Sequence, residues 1–412
     1  MSFDFTPFLR ADLPPAAGRF GCYAEFNFVG GHSDAGSVPG DALVAALAKV
    51  VHRDGKLLAN YGLSHGALGY LPLREYIATM LEDRTGMPTD PGEILITTGS
   101  LQGMDLVNEA LLLPGDTVIL EDVNYGGQLS RLRKLGVNYV GVEVDKGGMR
   151  MDALADVLAA QKAAGVTPKF IYTIPTVQNP SATVMGLPRR QQMLDLAREY
   201  GIPIFEDDCY ADLLWEGERP QTIRSLDDQG QVIYCGSFSK TVAPGLRTGY
   251  LVADWAVLSR LMPLKTDGGC GALEQMALAE YCPDHYDAHV NALRQTLKAK
   301  AETMATALEE YFGTTAEFEM PQGGIFIWVT LPAEVDTDRL TKAAGAAGVA
   351  INPGSEWAAD ASYGRRRLRI CFAHPEKQQI RDGVARLAEV CHAEFGVPLR
   401  SANVERGANV ER

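Results

Sequence analysis

The segment Ser237-Phe238-Ser239-Lys240-Thr241 sets serine hydroxyls beside an amine, and Arg247 follows seven residues after the lysine in Pro244-Gly245-Leu246-Arg247-Thr248-Gly249-Tyr250. An amine can condense with an aldehyde to form a Schiff base. Hydroxyls and a guanidinium are what a phosphate needs nearby. The apolar run Gln231-Val232-Ile233-Tyr234-Cys235 reads as a buried strand that delivers these groups, with Gly236 turning the chain after it. One lysine alone reads as a solvated side chain, so the argument rests on its companions.

Five other segments carry chemistry, four at the ends of predicted strands and one on a strand. Thr97-Thr98-Gly99-Ser100-Leu101-Gln102-Gly103 opens a helix, whose free N–H groups and dipole suit phosphate. Ser100 reads equally as a plain N-cap. Tyr125, in Asn124-Tyr125-Gly126-Gly127, offers an aromatic face to a flat ring. Ile204-Phe205-Glu206-Asp207-Asp208-Cys209-Tyr210 ends a buried strand in three carboxylates, which is costly unless a cation lies close. Pro175-Thr176-Val177-Gln178-Asn179-Pro180 is a turn carrying an amide. Arg365-Arg366-Arg367-Leu368-Arg369-Ile370-Cys371-Phe372 reads as a strand with Arg367 and Arg369 on one face, and an arginine can grip a carboxylate through two nitrogens. Arg365 and Arg366 read as a surface basic patch.

In this order the motifs closely resemble those of the fold-type I pyridoxal-phosphate enzymes, the class I/II aminotransferases, over roughly residues 25–395. The resemblance implies pyridoxal 5'-phosphate as cofactor, joined to Lys240 as a Schiff base. It implies phosphate contacts from Ser100, Leu101, Gln102, Ser237, Ser239 and Arg247, and ring stacking by Tyr125. Asp207 would hold the ring nitrogen's proton, Asn179 and Tyr210 the ring oxygen, and Arg369 the substrate α-carboxylate with Asn179 alongside. Glu206 and Asp208 read better as a solvated acidic loop. Asn60-Tyr61-Gly62 resembles the segment whose tyrosine reaches the partner subunit's cofactor phosphate, which implies a homodimer.

Four places depart from the family pattern. Asn179-Pro180 continues as Ser181-Ala182 instead of Thr-Gly. The stretch from Tyr61 to Arg74 is longer than usual through Ser64-His65-Gly66-Ala67. Gly30-Gly31-His32-Ser33-Asp34 replaces the usual Gly-x-Pro segment, which puts Gly31 and His32 on the substrate side. Gly268-Gly269-Cys270-Gly271 stands where small hydroxylated residues are usual. The expected activity is amino transfer between an L-amino acid and a 2-oxo acid. The alternative is a specialised biosynthetic enzyme using the same chemistry for elimination, decarboxylation, oxidation or cyclisation. A transcription regulator fused to this fold is disfavoured, because the pattern starts by residue ~25 and the chain is acidic.

The elements that must position these groups follow from pattern. From residue 94 short apolar runs alternate with amphipathic stretches, the mark of an α/β domain with a mainly parallel, seven-stranded-type sheet. Helices are expected over 41–52, with Asp41 as N-cap, and over 71–84, 102–113, 127–135, 151–163 and 188–200. Strands are expected over 94–96, 117–120, 139–144, 169–174, 202–205, 232–235 and 249–252. A smaller α+β domain follows, with helices over 286–311 and 376–394 and strands over 324–330 and 368–372. The expected division is an arm over 1–45, a large domain over 46–284, a small domain over 285–398 joined by part of the arm, and a disordered tail over 399–412 that repeats Ala-Asn-Val-Glu-Arg. Net charge of −14 disfavours nucleic acid and anionic membranes. Seven scattered cysteines suggest a reduced, cytoplasmic protein, and no spacing suggests a metal site. No apolar run approaches a membrane span.

Overall fold

The computed structural model describes residues 3–11, 13, 16–19 and 21–399, so the repeated tail beyond 399 lies outside it. Strand β1 is Phe26–Asn27, and helices α1 (Gly40–Asp54) and α2 (Leu71–Thr85) follow. Then come β2 (Ile94–Thr97), α3 (Gly99–Leu111), β3 (Thr117–Glu121), α4 (Gly126–Lys134) and β4 (Asn138–Val142). A small hairpin of β5 (Val144–Asp145) and β6 (Gly148–Met149) precedes α5 (Met151–Ala163). Next are β7 (Ile171–Thr173), α6 (Leu187–Tyr200), β8 (Ile204–Asp207), α7 (Ile223–Leu226), β9 (Val232–Ser237) and β10 (Gly249–Val252). After α8 (Trp255–Leu261) runs the long α9 (Ala272–Tyr311). The C-terminal part holds β11 (Glu317–Phe318), β12 (Phe326–Thr330), α10 (Thr337–Ala346), β13 (Val349–Ala350), β14 (Asn352–Pro353), α11 (Ala361–Gly364), β15 (Arg367–Cys371) and α12 (Lys377–Phe395).

The main sheet has seven strands in the order β2-β10-β9-β8-β7-β3-β4. Only β10 runs antiparallel to its neighbours. Strand alternation sorts its residues between layers. Leu95, Leu251 and Cys235 join the core under α3, whereas Ile94, Ile96, Tyr250 and Tyr234 pack with α1, α2 and the first half of α9. Ile119, Ile171, Ile204 and Val232 face α5 and α6. Parallel strands bring all their carboxyl ends to one edge, and the chemistry-bearing turns leave from that edge.

Several boundaries shift from the sequence pattern. Pro39, not Asp41, holds the cap position of α1, and Asp41 sits in its first turn, where its charge suits the dipole. Thr98, not Ser100, precedes α3, which starts three residues early because Gly99 adopts φ +70°. The long helix begins at Ala272 and runs through Pro283 without a break, so the expected division at 284–285 falls inside one element. The arm is tied to the C-terminal part: β1 pairs in parallel with β13, and the four-stranded sheet there is β11-β12-β15-β14.

Glu206 and Asp208 correct the expectation of a solvated loop, because both carboxylates are buried. Glu206 accepts from the N–H groups of Ile223 and Arg224, each at 2.9 Å. Asp208 pairs with Arg219 at 2.8 Å. Glu121, at the end of β3, accepts from Thr173 Oγ1 at 2.7 Å and from the Ile174 N–H at 3.1 Å. Burial pushes both Glu121 and Glu206 up to about 7. A carboxyl raised on folding binds its proton better in the native state, so its stabilising contribution holds below about pH 4.5 and is lost as pH rises through 7. Stability should therefore fall from pH 5 to 8. Glu121→Gln should flatten that fall by an amount of order 1–3 kcal/mol, with the Glu206 share remaining, read from urea midpoints at each pH.

Candidate active site

A cavity of about 540 Å3 opens at the carboxyl edge of the sheet, between it and β14–β15. Its wall includes Ser100, Leu101, Tyr125, Asn179, Asp207, Tyr210, Ser237, Ser239, Lys240, Arg247, Arg369 and Gly31, which brings together most of the residues singled out from sequence.

Lys240 stands at its centre. Its Nζ donates to the Gly31 carbonyl at 2.6 Å, and burial pulls its pKa below that of an ordinary lysine. A Cβ on Gly31 would lie 2.5 Å from that nitrogen, so a larger residue here would displace the lysine amine from its resting place. At one end of the cavity, the N-terminus of α3 meets the Ser237–Ser239 turn and Arg247. Ser239 N–H donates to Ser237 Oγ at 3.1 Å, and Arg247 donates to the carbonyls of Pro244 and Thr98 at 3.3 Å each. A Cβ on Gly249 would lie 2.7 Å from the Ser100 nitrogen, and one on Gly99 would strike the Arg247 guanidinium. This close-built cradle of N–H groups, hydroxyls and a guanidinium is fitted to a phosphate.

Asp207 ends β8 and is only 4% exposed. It accepts from Tyr172 Oη at 2.7 Å and from the Cys209 N–H at 3.3 Å, and burial raises its pKa. Neither partner is charged, so the wall presents an anion prepared for a cation on a bound ring. The thiols of Cys209 and Cys235 lie beside it, and the three side chains place ligand atoms within 4.8 Å of one another. Asn179 Nδ2 donates to Tyr210 Oη at 3.2 Å, so the two act at one point.

Arg369 is 2% exposed. Its guanidinium lies 3.8 Å from the Trp357 ring and 5.4 Å from that of Phe326. It donates to Gly30 O at 2.7 Å, to Asn352 Oδ1 at 3.0 Å and to Asn179 Oδ1 at 3.3 Å, and its buried Nε has no partner. A buried cation held flat with an unused donor is ready for a carboxylate.

Three residues named from sequence fall elsewhere. Gln102 turns back, its Oε1 accepting from Thr98 N–H at 2.8 Å and its Nε2 donating to Asp267 at 2.7 Å. It therefore braces the cradle without lining it. His32 stands outside the cavity wall, its ring 5.4 Å from those of both His374 and Tyr23. Tyr61 is 93% exposed and borders a separate hollow with Asp267, Gly268 and Cys270. Sequence reasoning missed Tyr172, Trp357, Asn352, Arg133 and Glu356. Tyr172 had a signal, because Phe170, Tyr172 and Ile174 alternate on one strand face. Trp357 had only its place after Pro353-Gly354.

A family model for aminotransferase class I and II matches residues 32–387. The chain belongs to that family. It is 33% identical over 79% of its length to aromatic-amino-acid aminotransferase 1 of Thermococcus litoralis, covering 79% of that protein. It is 32% identical over 88% of its length to 2-aminoadipate transaminase of Thermus thermophilus, covering 88% of it. The fold matches the crystal structure of Pyrococcus horikoshii kynurenine aminotransferase with a TM-score of 0.84 at 31% identity, covering 90% of this chain and 91% of that one. The protein is thus a fold-type I, pyridoxal-phosphate-dependent aminotransferase, acting on amino acid and oxo acid substrates. Among the described residues, no helix is long and apolar enough to cross a membrane.

Proposed function

We propose that both substrates of the transfer, the amino acid and the oxo acid, are held by Arg369 through the α-carboxylate, with the side chain lying along Tyr125 and Trp357. The observation that carries this is the unpartnered Nε of a buried guanidinium fixed between two aromatic rings, in the cavity that also holds Lys240 and Asp207. Long or aromatic side chains fit such a wall, in keeping with the substrates named for the relatives. Pyridoxal phosphate, when bound, supplies an electron sink for charge developing at the substrate Cα. Ser100, Ser237, Ser239 and Arg247 would hold its phosphate, Asp207 its ring nitrogen, Asn179 and Tyr210 its ring oxygen, and Tyr125 its face.

Lys240 takes the proton from the substrate Cα and returns it to the cofactor side. Burial favours the neutral amine that such a base requires. Gly31 carbonyl accepts from Lys240 and so sets where its nitrogen rests before reaction. Gly30 and Gly31 of the arm form part of the cavity wall and so shield the reacting atoms from water on that side.

The assembly we propose is a homodimer in which Tyr61 reaches the partner's phosphate cradle. Its nearly complete exposure supports this reading, since a tyrosine on the surface of one chain is available to another. Seven free cysteines, five of them buried, support a reducing, cytoplasmic setting.

Mixing the cofactor-loaded protein with single amino acids, without any oxo acid, tests the reading. Stoichiometric pyridoxamine phosphate and the matching 2-oxo acid are expected, fastest for aromatic and long-chain donors. Turnover that releases ammonia or CO2 without pyridoxamine would overturn it. Arg369→Lys keeps the charge and loses the fork, so half-saturation should rise about 10- to 100-fold for every amino acid tested. Rates measured against donor concentration check this, and a rise for only some donors would remove Arg369 from the shared α-carboxylate.

A further inference from the structure

Six charged side chains line the cavity. Asp207 and Arg247 face the cofactor, Lys240 the reacting carbon, and Arg369 the α-carboxylate. Arg133 and Glu356 remain, both on the outer rim and both outside the scheme above.

Helix α4 presents Gly126, Gly127, Ser130 and Arg133 to the cavity, a spacing of three and four residues that forms one face. Its first residues are glycines for a local reason. A Cβ on Gly126 would lie 2.7 Å from the Glu356 carbonyl oxygen, and one on Gly127 would lie 2.5 Å from the Tyr125 ring. The Glu356–Trp357 segment therefore closes directly onto the start of α4, and the Asn124 N–H donates to Trp357 O at 2.8 Å. This approach sets Glu356 and Arg133 on the same rim. The small residues leave open space between that rim and Arg369.

Glu356 stands in the field of both arginines. Burial and the outer carboxylate Asp338 push its pKa up, and Arg133 and Arg369 offset part of that rise. Among the described residues, no hydrogen bond or ion pair holds its carboxylate. Arg133 uses only Nε there, donating to Tyr139 Oη at 3.0 Å, so its terminal nitrogens are available. A carboxylate that shares the cavity wall with two arginines marks a position that a substrate carboxylate could take over.

We propose that Arg133 reads a distal carboxylate on the substrate, with Glu356 as the internal carboxylate that holds this position when a monocarboxylic substrate is bound. The inference rests on Arg369 holding the α-carboxylate. It gives one cavity a way to serve both substrates of a transfer when only one of them is a dicarboxylic acid. A distal cation is the weaker fit. It would lie beside Arg133 and Arg369 as well as Glu356, and the closing of the site would further weaken the Glu356 charge.

Calorimetric titration of the cofactor-loaded protein with glutarate, butyrate and 5-trimethylammoniopentanoate tests this without turnover, since none of them carries an amine that can condense with an aldehyde. Arg133→Gln should lower the ratio of glutarate to butyrate affinity about tenfold, the equivalent of about 1.4 kcal/mol. Glu356→Gln should raise that ratio several-fold. A ratio unchanged in Arg133→Gln, or lowered in Glu356→Gln, would overturn the proposal. So would 5-trimethylammoniopentanoate binding more tightly than glutarate and losing that advantage in Glu356→Gln, which assigns the rim to cations. Because these ligands do not react, the assignment of the rim can fail while amino transfer stands, and the reverse.

Discussion

Lys240→Ala is expected to slow the amino-acid half-reaction by about four orders of magnitude or more. The only other amine described close to the arm over the cavity is Lys300, and it is committed to Asp34 at 2.5 Å and Ala373 O at 2.9 Å. No other side chain is therefore placed to move the Cα proton. The fold should not suffer. Burial lowers the Lys240 pKa relative to the unfolded chain, so burying this amine costs the native state stability at pH values below its unfolded pKa. Removing it lifts that penalty, and the cofactor-free variant should melt no lower than the parent. A small added amine such as methylamine should restore part of the rate. Stopped-flow spectra with a fast donor, read beside melting curves, check both halves. A variant within tenfold of the parent rate would remove Lys240 from the chemistry, and a large drop in melting temperature would recast it as structural.

The sequence was most legible where one chain segment carries both a strand and the group it delivers. The run 231–235 announced a buried strand, and Ser237, Ser239 and Lys240 leave its end into the cavity as expected. Asp207 and Arg369 were readable for the same reason, since each terminates or lines a strand whose burial makes its charge conspicuous. Contacts across the sequence were not readable. Arg133 and Glu356 are more than two hundred residues apart and share one cavity wall because Gly126 lets the Glu356 backbone approach. Trp357 gains meaning only from the Arg369 guanidinium that rests on it. Glu206 and Asp208 were misread because their partners, the N–H groups at the start of α7 and the Arg219 side chain, come from a later segment. Alternating polarity reports which face is buried, but not which distant group will satisfy a buried charge.

Asp207→Asn should cost about 10^3-fold in the same half-reaction, and it separates charge from shape. Asparagine has nearly the same volume. Its amide oxygen can still accept from Tyr172 Oη in the place of Oδ2, while its NH2 replaces Oδ1 and gives up the longer Cys209 N–H bond at 3.3 Å. What disappears is the negative charge that would hold a proton on the ring nitrogen. Without that proton the ring draws less charge from the substrate Cα, and the barrier rises. The cofactor-free protein should respond in the opposite direction. Burial raises the Asp207 pKa, so its favourable contribution is present at low pH and is lost as pH rises past its unfolded value. Without cofactor this buried carboxyl has only neutral partners, so its ionisation costs stability, and Asn removes that cost. The variant should therefore melt higher than the parent without cofactor, gain less on adding pyridoxal phosphate, and bind it more weakly by about 10- to 100-fold. Melting curves at graded cofactor concentration measure all three together. If the variant melts lower without cofactor while its cofactor affinity is unchanged, Asp207 is a structural acceptor for Tyr172 and the ring nitrogen has no ionic partner on this strand.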